Sequence, residues 1–268
     1  MTVKMFEDYE AITFRREGKI LTVTLNRADT LNAVNAKLHE ELSRVFTDVQ
    51  RDPESDIIVL TGAGRAFSAG GDVGWMQEAI DNPEVFESTV AVEAKQMIFS
   101  QLELEKPLIC RMNGHAMGLG ATIALACDIV IASDQAKIGD PHVLIGYAAG
   151  DGGAVLWPQL IGYLRAKEYL LTGDPIPAVE AARMGLINRA VPPEQLDDEV
   201  YNLARRLAGG ARKAIRWTKV TTNLALKQLA HMIMDTGLAY EGLSNVSKDH
   251  QEAVAAFRDK RKPIFTGE

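Results

Sequence analysis

Two glycine-rich segments are the places where this chain could bring its backbone up to a ligand. The first is Gly62-Ala63-Gly64-Arg65-Ala66-Phe67-Ser68-Ala69-Gly70-Gly71-Asp72 and the second is Asn113-Gly114-His115-Ala116-Met117-Gly118-Leu119-Gly120. Lacking a Cβ, glycine lets a main chain approach a bound molecule closely. Neither segment completes the G-x-G-x-x-G of a dinucleotide fold. Phe67 stands where the third glycine would follow Gly62 and Gly64, and Ile123 where it would follow Gly118 and Gly120. No G-K-[ST] is present, so a phosphate P-loop is excluded as well. A single glycine cluster is often only a tight turn. Two clusters, each behind a predicted strand and one opening a helix, point instead to a site.

The elements that must position these loops read as an alternation of strands and helices. Ile12–Phe14 and Ile20–Leu25 form a hairpin around Glu17-Gly18-Lys19. Asn35 caps a helix whose apolar residues Leu38, Leu42, Val45, Phe46 and Val49 recur at helical spacing to about Gln50. Ile57–Leu60, Pro107–Met112 and Ile129–Ala132 are buried strands. Between them lie a helix from Pro83 to about Leu104 and a short one over Gly118–Ala126. This order predicts an α/β fold with a parallel core covered on both faces. From about Glu194 the pattern is helical throughout, over Leu196–Leu207, Ala211–Leu226, Leu229–Val246 and Gln251–Arg261. The expected organisation is a core over 1–193 and a helical region over 194–268 that docks on the core or on a neighbour.

Composition narrows the class. With 268 residues, 47% of them apolar, the chain can bury a sizeable core. A formal net charge of −7 argues against nucleic acid as a partner, though a local basic patch could still take one small anion. Cys110 and Cys127 sit in apolar runs without metal-ligand spacing and read as reduced, buried thiols, so no metal is expected. Met1–Glu10 lacks the apolar stretch of a signal peptide, and no run reaches the ~20 apolar residues of a membrane span. A cytoplasmic protein without a membrane partner is expected.

In order along nearly the whole chain, the segments resemble the crotonase (enoyl-CoA hydratase/isomerase) superfamily. Leu25-Asn26-Arg27 with Leu31-Asn32-Ala33 is similar to its N-terminal signature, and Ala66–Asp72 to its CoA-binding loop. Lys106-Pro107, Asn113-Gly114, Gly118-Leu119-Gly120 and Cys127-Asp128 resemble its central signature. Leu171-Thr172-Gly173 and Ala181–Ile187 match a later segment, and Phe257–Lys262 with Phe265 the tail. The resemblance implies a ββα spiral core, homotrimers or stacked homohexamers, and an acyl-CoA substrate whose CoA is part of the substrate and not a permanent cofactor. It further implies that the backbone N–H groups of Gly71 and Leu119 bind the thioester oxygen as it becomes an enolate. CoA would lie along Ala69, Gly70 and Asp72, with Arg27, Lys260, Lys262 and Phe265 as further contacts. The tail Lys260-Arg261-Lys262 could equally be a solvated face.

The chain departs from this pattern where the family's hydratases carry two glutamates. Those positions are Thr122 and His142 here, and a threonine is no acid or base near neutral pH. His142 is then the candidate general base, because an imidazole titrates near working pH. Asp151, nine residues on, could orient it, raise its pKa or hold a water, or could instead cap the following helix. Their spacing resembles that of a crotonase relative that hydrolyses a C–C bond in a β-diketone. His115 could face the site or solvent, His39 is expected to be structural, and His231 and His250 to lie on exposed helix faces. Glu241 could project from the C-terminal helices into a site, although a surface carboxylate is the better expectation. Trp75, Met76, Met117 and Trp157 could line an acyl pocket or pack the core. Three readings remain: hydrolytic C–C cleavage, hydration with non-standard acid–base residues, and acyl-CoA binding without catalysis.

Overall fold

In this computed structural model residues 6–268 are described; the first five, part of the stretch read above for a targeting signal, lie outside the described residues. Strands β1 (Ile12–Glu17) and β2 (Ile20–Leu25) pair antiparallel, closed by Gly18 at φ +56°. Helix α1 (Ala36–Arg51) then crosses to β3 (Ile57–Gly62), which pairs parallel with β2. The Asn35 side chain accepts from the Leu38 N–H at 3.1 Å, as its N-cap position predicts. After β3 come α2 (Val73–Asp81), the single turn α3 (Pro83–Val85), a π-helical turn over Phe86–Val90, and α4 (Ala91–Glu103). Strand β4 (Leu108–Met112) follows, then the two-residue β5 (Ala116–Met117), α5 (Leu119–Leu125), β6 (Ile129–Ser133) and β7 (Lys137–Gly139).

A 3-10 turn at His142–Ile145 leads to α6 (Gly153–Ile161) and α7 (Tyr163–Thr172). Then come β8 (Ile176–Pro177), α8 (Ala178–Met184), β9 (Arg189–Val191), α9 (Pro193–Ala208), α10 (Arg212–Asn245) and α11 (Lys248–Arg258). The main sheet has the order β1-β2-β3-β4-β6-β9, parallel beyond the first pair, and β5-β7-β8 form a small second sheet. Parallel neighbours require crossovers, and the helices supply them.

The strand residues alternate between two cores, as period-2 geometry demands. Leu21, Ile58, Leu60, Leu108 and Cys110 join the large core beneath α1, α4 and α5. Ile20, Ile57, Val59, Ile109 and Ile131 face the other way and are covered by Leu196, Val200 and Leu203 of α9. The first helix of the 194–268 region is therefore packed on the sheet. The two helices expected over Ala211–Leu226 and Leu229–Val246 are one continuous helix, α10, of 34 residues. The apolar pattern has no break there, because Lys227 and Gln228 are good helix formers. Cys110 and Cys127 are free and buried. Among the described residues, no helix is long and apolar enough to cross a membrane.

Phe46 is among the largest fully buried side chains, on the face of α1 that meets the core. Phe46→Ala is expected to lower unfolding free energy by about 3–5 kcal/mol, because the aromatic volume cannot be refilled from a close-packed interior. Urea denaturation followed by far-UV circular dichroism measures it.

Candidate active site

Both glycine loops leave the same end of the parallel strands, and polar side chains fasten them together. Asn113 at the end of β4 accepts from the Gly62 N–H at 3.0 Å and donates to the carbonyls of Gly64 and Ala66. Asn32 donates to the Ala63 and Ala66 carbonyls at 2.9 and 3.0 Å. The loops then run side by side: Phe67 and Ser68 N–H donate to the His115 carbonyl, and Met117 N–H to the Ser68 carbonyl. Such proximity leaves no room for side chains. A Cβ on Gly114 would lie 2.1 Å from the Arg65 carbonyl oxygen, and one on Gly120 2.7 Å from Ser68 Cβ. Gly70, at φ +88°, would place a Cβ 2.8 Å from the Met117 carbonyl oxygen.

This zipper leaves two amides unengaged. In the parallel bridge between Val34 and Gly71, Val34 N–H donates to Gly70 and Asp72 N–H donates to Val34. The Gly71 N–H takes no part. Leu119 is the first residue of α5, so its N–H has no intrahelical acceptor. Gly71 and Leu119 line one cavity of about 70 Å³, together with His39, Trp75, Met76, Tyr147, His142, Asp151 and Glu241. It adjoins a larger groove of about 510 Å³ walled by Ala69, Gly70, Gly71, Asp72 and the α11 residues Ala253 and Phe257.

The titratable groups of the cavity form a buried cluster. His142 lies on the 3-10 turn behind β7, and its Nδ1 hydrogen-bonds the Asp140 carboxylate. Its Nε2 lies 3.6 Å from Asp151 Oδ2. The Thr122 hydroxyl donates to Asp151 Oδ1 at 3.1 Å. Glu241 reaches the same cavity from α10, and its Oε2 has no protein partner among the described residues. Asp140 Oδ2 is likewise buried and unpartnered. Burial by itself disfavours the imidazolium, but the charges of Asp140 and Asp151 and the bond to Asp140 outweigh it, so the pKa of His142 is raised well above 6.5. Burial, reinforced by the neighbouring carboxylates, raises both Asp151 and Glu241 above the ordinary carboxylate range. Asp140, His142 and Asp151 also offer ligand atoms within 4.8 Å of one another, a spacing a metal ion could bridge. Nδ1 of His142 is already committed to Asp140, which leaves Nε2 as its single ligand atom.

Several sequence expectations need correcting. Glu241 is 5% exposed and inside the cavity, not at the surface. His250 is buried, with its Nδ1 on the Ile145 carbonyl at 2.6 Å, because α11 packs on the His142 turn. His39, expected to be structural, does hydrogen-bond Glu93 at 2.5 Å, yet it also forms part of the cavity wall beside Trp75. His115 is exposed, its Nδ1 accepting from the Lys137 N–H, and His231 is exposed as expected. Trp157 is core and Met117 packs toward Gly139, so neither lines the cavity, whereas Trp75 and Met76 do. Arg27 is held by Asp72 at 3.3 Å and by the Ala33 carbonyl, and Asp72 also caps α2 through the Gly74 N–H. Lys260, Lys262 and Phe265 are exposed and line neither cavity nor groove, because α11 ends before them; Phe257 meets the groove instead. Asp140 and Glu241 were the partners missed. An Asp two residues before the histidine in a turn was a usable signal for the first.

The fold and the paired loops define an enzyme of the enoyl-CoA hydratase/isomerase type, and residues 15–268 match that family's model, so the chain belongs to the enoyl-CoA hydratase/isomerase family. It is 35% identical to a crotonyl-CoA hydratase of Syntrophomonas wolfei, over 96% of this chain and 98% of that one. Among solved structures it is similar to an enoyl-CoA hydratase/isomerase from Mycobacterium paratuberculosis (TM-score 0.88, 34% identity, 92% of this chain and 99% of that one). It is also similar to a β-diketone hydrolase from the cyanobacterium Anabaena sp. PCC 7120, solved with (S)-3-oxocyclohexyl acetic acid (TM-score 0.84, 30% identity, 91% and 97% covered).

The raised pKa of His142 has a signed consequence for stability. A base with a higher pKa folded than unfolded contributes stability fully below about 6.5 and loses it as pH rises toward the folded value. Buried Lys106 acts in the opposite sense, but only above its lowered pKa of about 8. Between about pH 6.5 and 8 the melting temperature is therefore expected to fall. His142→Gln should reduce that slope to the part the raised Asp151 and Glu241 carboxyls contribute in the same sense, as differential scanning fluorimetry across this range would read.

Proposed function

We propose that this chain hydrolyses a C–C bond between the two carbonyls of a β-diketone-type substrate, releasing one carbonyl half as an enolate. The reading rests on one observation above all: an imidazole flanked by two carboxylates lines the same cavity as Gly71 and Leu119, whose amides are unengaged. Water attacks one carbonyl carbon as the His142–Asp151 pair takes its proton. Asp140 on Nδ1 stabilises the imidazolium and fixes the ring, the role a buried carboxylate commonly plays beside a base. The C–C bond then breaks, its electrons pass to the other carbonyl, and that oxygen is held as an enolate by the two amides. Thr122, unable to move a proton, orients Asp151. The resemblance to a β-diketone hydrolase supports this reading.

The groove along Ala69–Asp72 is where CoA of an acyl-CoA substrate would lie, and the similarity to a crotonyl-CoA hydratase favours a second reading, hydration of a 2-enoyl-CoA by the same residues. Exposed apolar side chains on α10, among them Trp217, Met232, Tyr240 and Leu243, support assembly into homotrimers or homohexamers.

The test offers a cyclic β-diketone, free and CoA-linked, and crotonyl-CoA, and follows products by mass spectrometry. The expected result is ring opening with gain of one water, with kcat lower by about 10²–10⁴-fold in His142→Ala and in Asp151→Asn. Hydration of crotonyl-CoA that survives His142→Ala, with no ring opening of either diketone, would overturn the assignment.

A further inference from the structure

We infer that Glu241, delivered from α10, is the acid that protonates the carbon of the departing enolate. The inference rests on the C–C cleavage proposed above and assigns the step that reading leaves open. Cleavage puts an electron pair on a carbon that must gain a proton before the product can leave. His142 and Asp151 stand where they would accept water's proton, so a separate acid is needed.

Three observations place Glu241 there. It lines the same cavity as Gly71, Leu119, His142 and Asp151, on a different element from all four. Its Oε2 is buried without a protein partner among the described residues. The Gly150 N–H lies near the carboxyl, but no well-formed hydrogen bond reaches Oε2, and leaving that oxygen unbonded costs stability unless a ligand meets it. Third, the fold is built to bring it in. α10 meets the loop before Asp151 through two glycines: a Cβ on Gly150 would lie 2.2 Å from the Gly237 carbonyl oxygen and 2.8 Å from Glu241 Oε2. Glu241 is one helical turn beyond Gly237, on the same face.

Its protonation state suits the task. Burial, then the charges of Asp151 and Asp140, hold the carboxyl well above its ordinary range, against the opposing pull of His142. The remaining titratable groups of that wall are His39, hydrogen-bonded to Glu93, and Tyr147, whose hydroxyl donates to Asn245 at 2.6 Å and whose pKa burial raises too. Glu241 thus holds its proton more firmly than an ordinary carboxyl, beside a proton-accepting pair. The balance closes: water loses one proton to the His142–Asp151 pair and its oxygen becomes part of the new carboxyl group. Glu241 gives its proton to carbon and is reprotonated from that pair. The sum is one diketone and one water giving one keto acid.

The experiment uses a cyclohexane-1,3-dione with two different substituents at C2, which cannot enolise between its carbonyls, so that the protonated carbon becomes a stereocentre. Full-length wild type and Glu241→Gln are compared in H₂O and D₂O. Wild type should deliver deuterium to one face and lose kcat as pH rises through the acid's elevated pKa. Glu241→Gln should lower kcat by about 10²-fold with KM little changed, give racemic product and lose that descending limb. Wild-type stereochemistry read across pH tests the same group without substitution, should the variant not fold. Glu241→Gln with unchanged kcat and a single product enantiomer would overturn the assignment, as would a loss confined to KM. Those results leave the C–C hydrolase reading intact, whereas absence of ring opening by wild type refutes that reading and this one with it.

Discussion

The imidazole of His142 stands among three buried carboxyl groups, Asp151 and Glu241 beside it in the cavity wall and Asp140 bonded behind it, and their charges oppose one another. Asp140, Asp151 and Glu241 are each at most 5% exposed. Like charges at such separations in a poorly solvated interior repel strongly, so protons are retained on some of them. The arrangement decides which. Asp140 binds His142 directly and pins the imidazolium; Asp151 has the Thr122 hydroxyl and the far side of the ring; Glu241 has no such support at Oε2. The result is a graded set: an imidazole whose protonated form is stabilised, a carboxyl with a raised pKa, and another raised well above the ordinary range. Carboxyl groups pushed apart in this way are how one site runs acid and base steps at one pH. Protons here belong to the cluster, so each titration shifts when a neighbour changes.

Burying such a cluster opposes folding, and the rest of the chain has to outweigh it. The two loops are therefore not held by glycine flexibility. They are held by asparagine amides, by carbonyl-to-amide bonds across the Ser68–Ala116 bridge, and by glycines whose missing Cβ atoms permit the contact. Behind them the sheet buries both faces, the second under α9. The same construction leaves the Gly71 and Leu119 amides unengaged. A backbone amide donates whatever its side chain, so leucine at position 119 alters the wall of the cavity without removing the donor.

Much of this was legible in the sequence because it depends on local pattern. The hairpin at Gly18, the Asn35 cap, and the strands at Ile57, Pro107 and Ile129 follow from turn chemistry and apolar period. The glycine loops and His142 follow from residue type and order. The short strands β5, β7, β8 and β9 did not stand out, since two or three residues carry no periodicity. Glu241 illustrates the harder limit. Ala230, Met234, Leu238, Glu241 and Asn245 are the buried residues along the latter half of α10, at the spacing of one helix face. A carboxylate in that stripe was visible, but what it faces is set by a loop some ninety residues earlier in the chain. Asp140 was hidden for the opposite reason: it is so close to His142 that it reads as part of the turn.

The position of Thr122 bears on how this site relates to the hydratases it resembles. Hydration and β-diketone cleavage both pass through an enolate whose oxygen can rest on the same two amides. They differ in where water is held and which atom receives the proton. By the resemblance, Thr122 and His142 stand where the hydratases carry carboxylates, yet acidic side chains remain around the cavity. Its carboxylates come from neighbouring points: Asp140 two residues before His142, Asp151 hydrogen-bonded to Thr122, and Glu241 from α10. The oxyanion geometry belongs to the backbone and resists substitution, whereas the acid–base set belongs to side chains on three different elements. In the proposed reaction, moving those side chains while the backbone stays fixed would direct water to a carbonyl carbon and not to an alkene carbon. On that proposal the enolate is reached by breaking a C–C bond instead of by adding across a double bond. A single fold can host both reactions because the feature they share is main-chain and the feature that separates them is not.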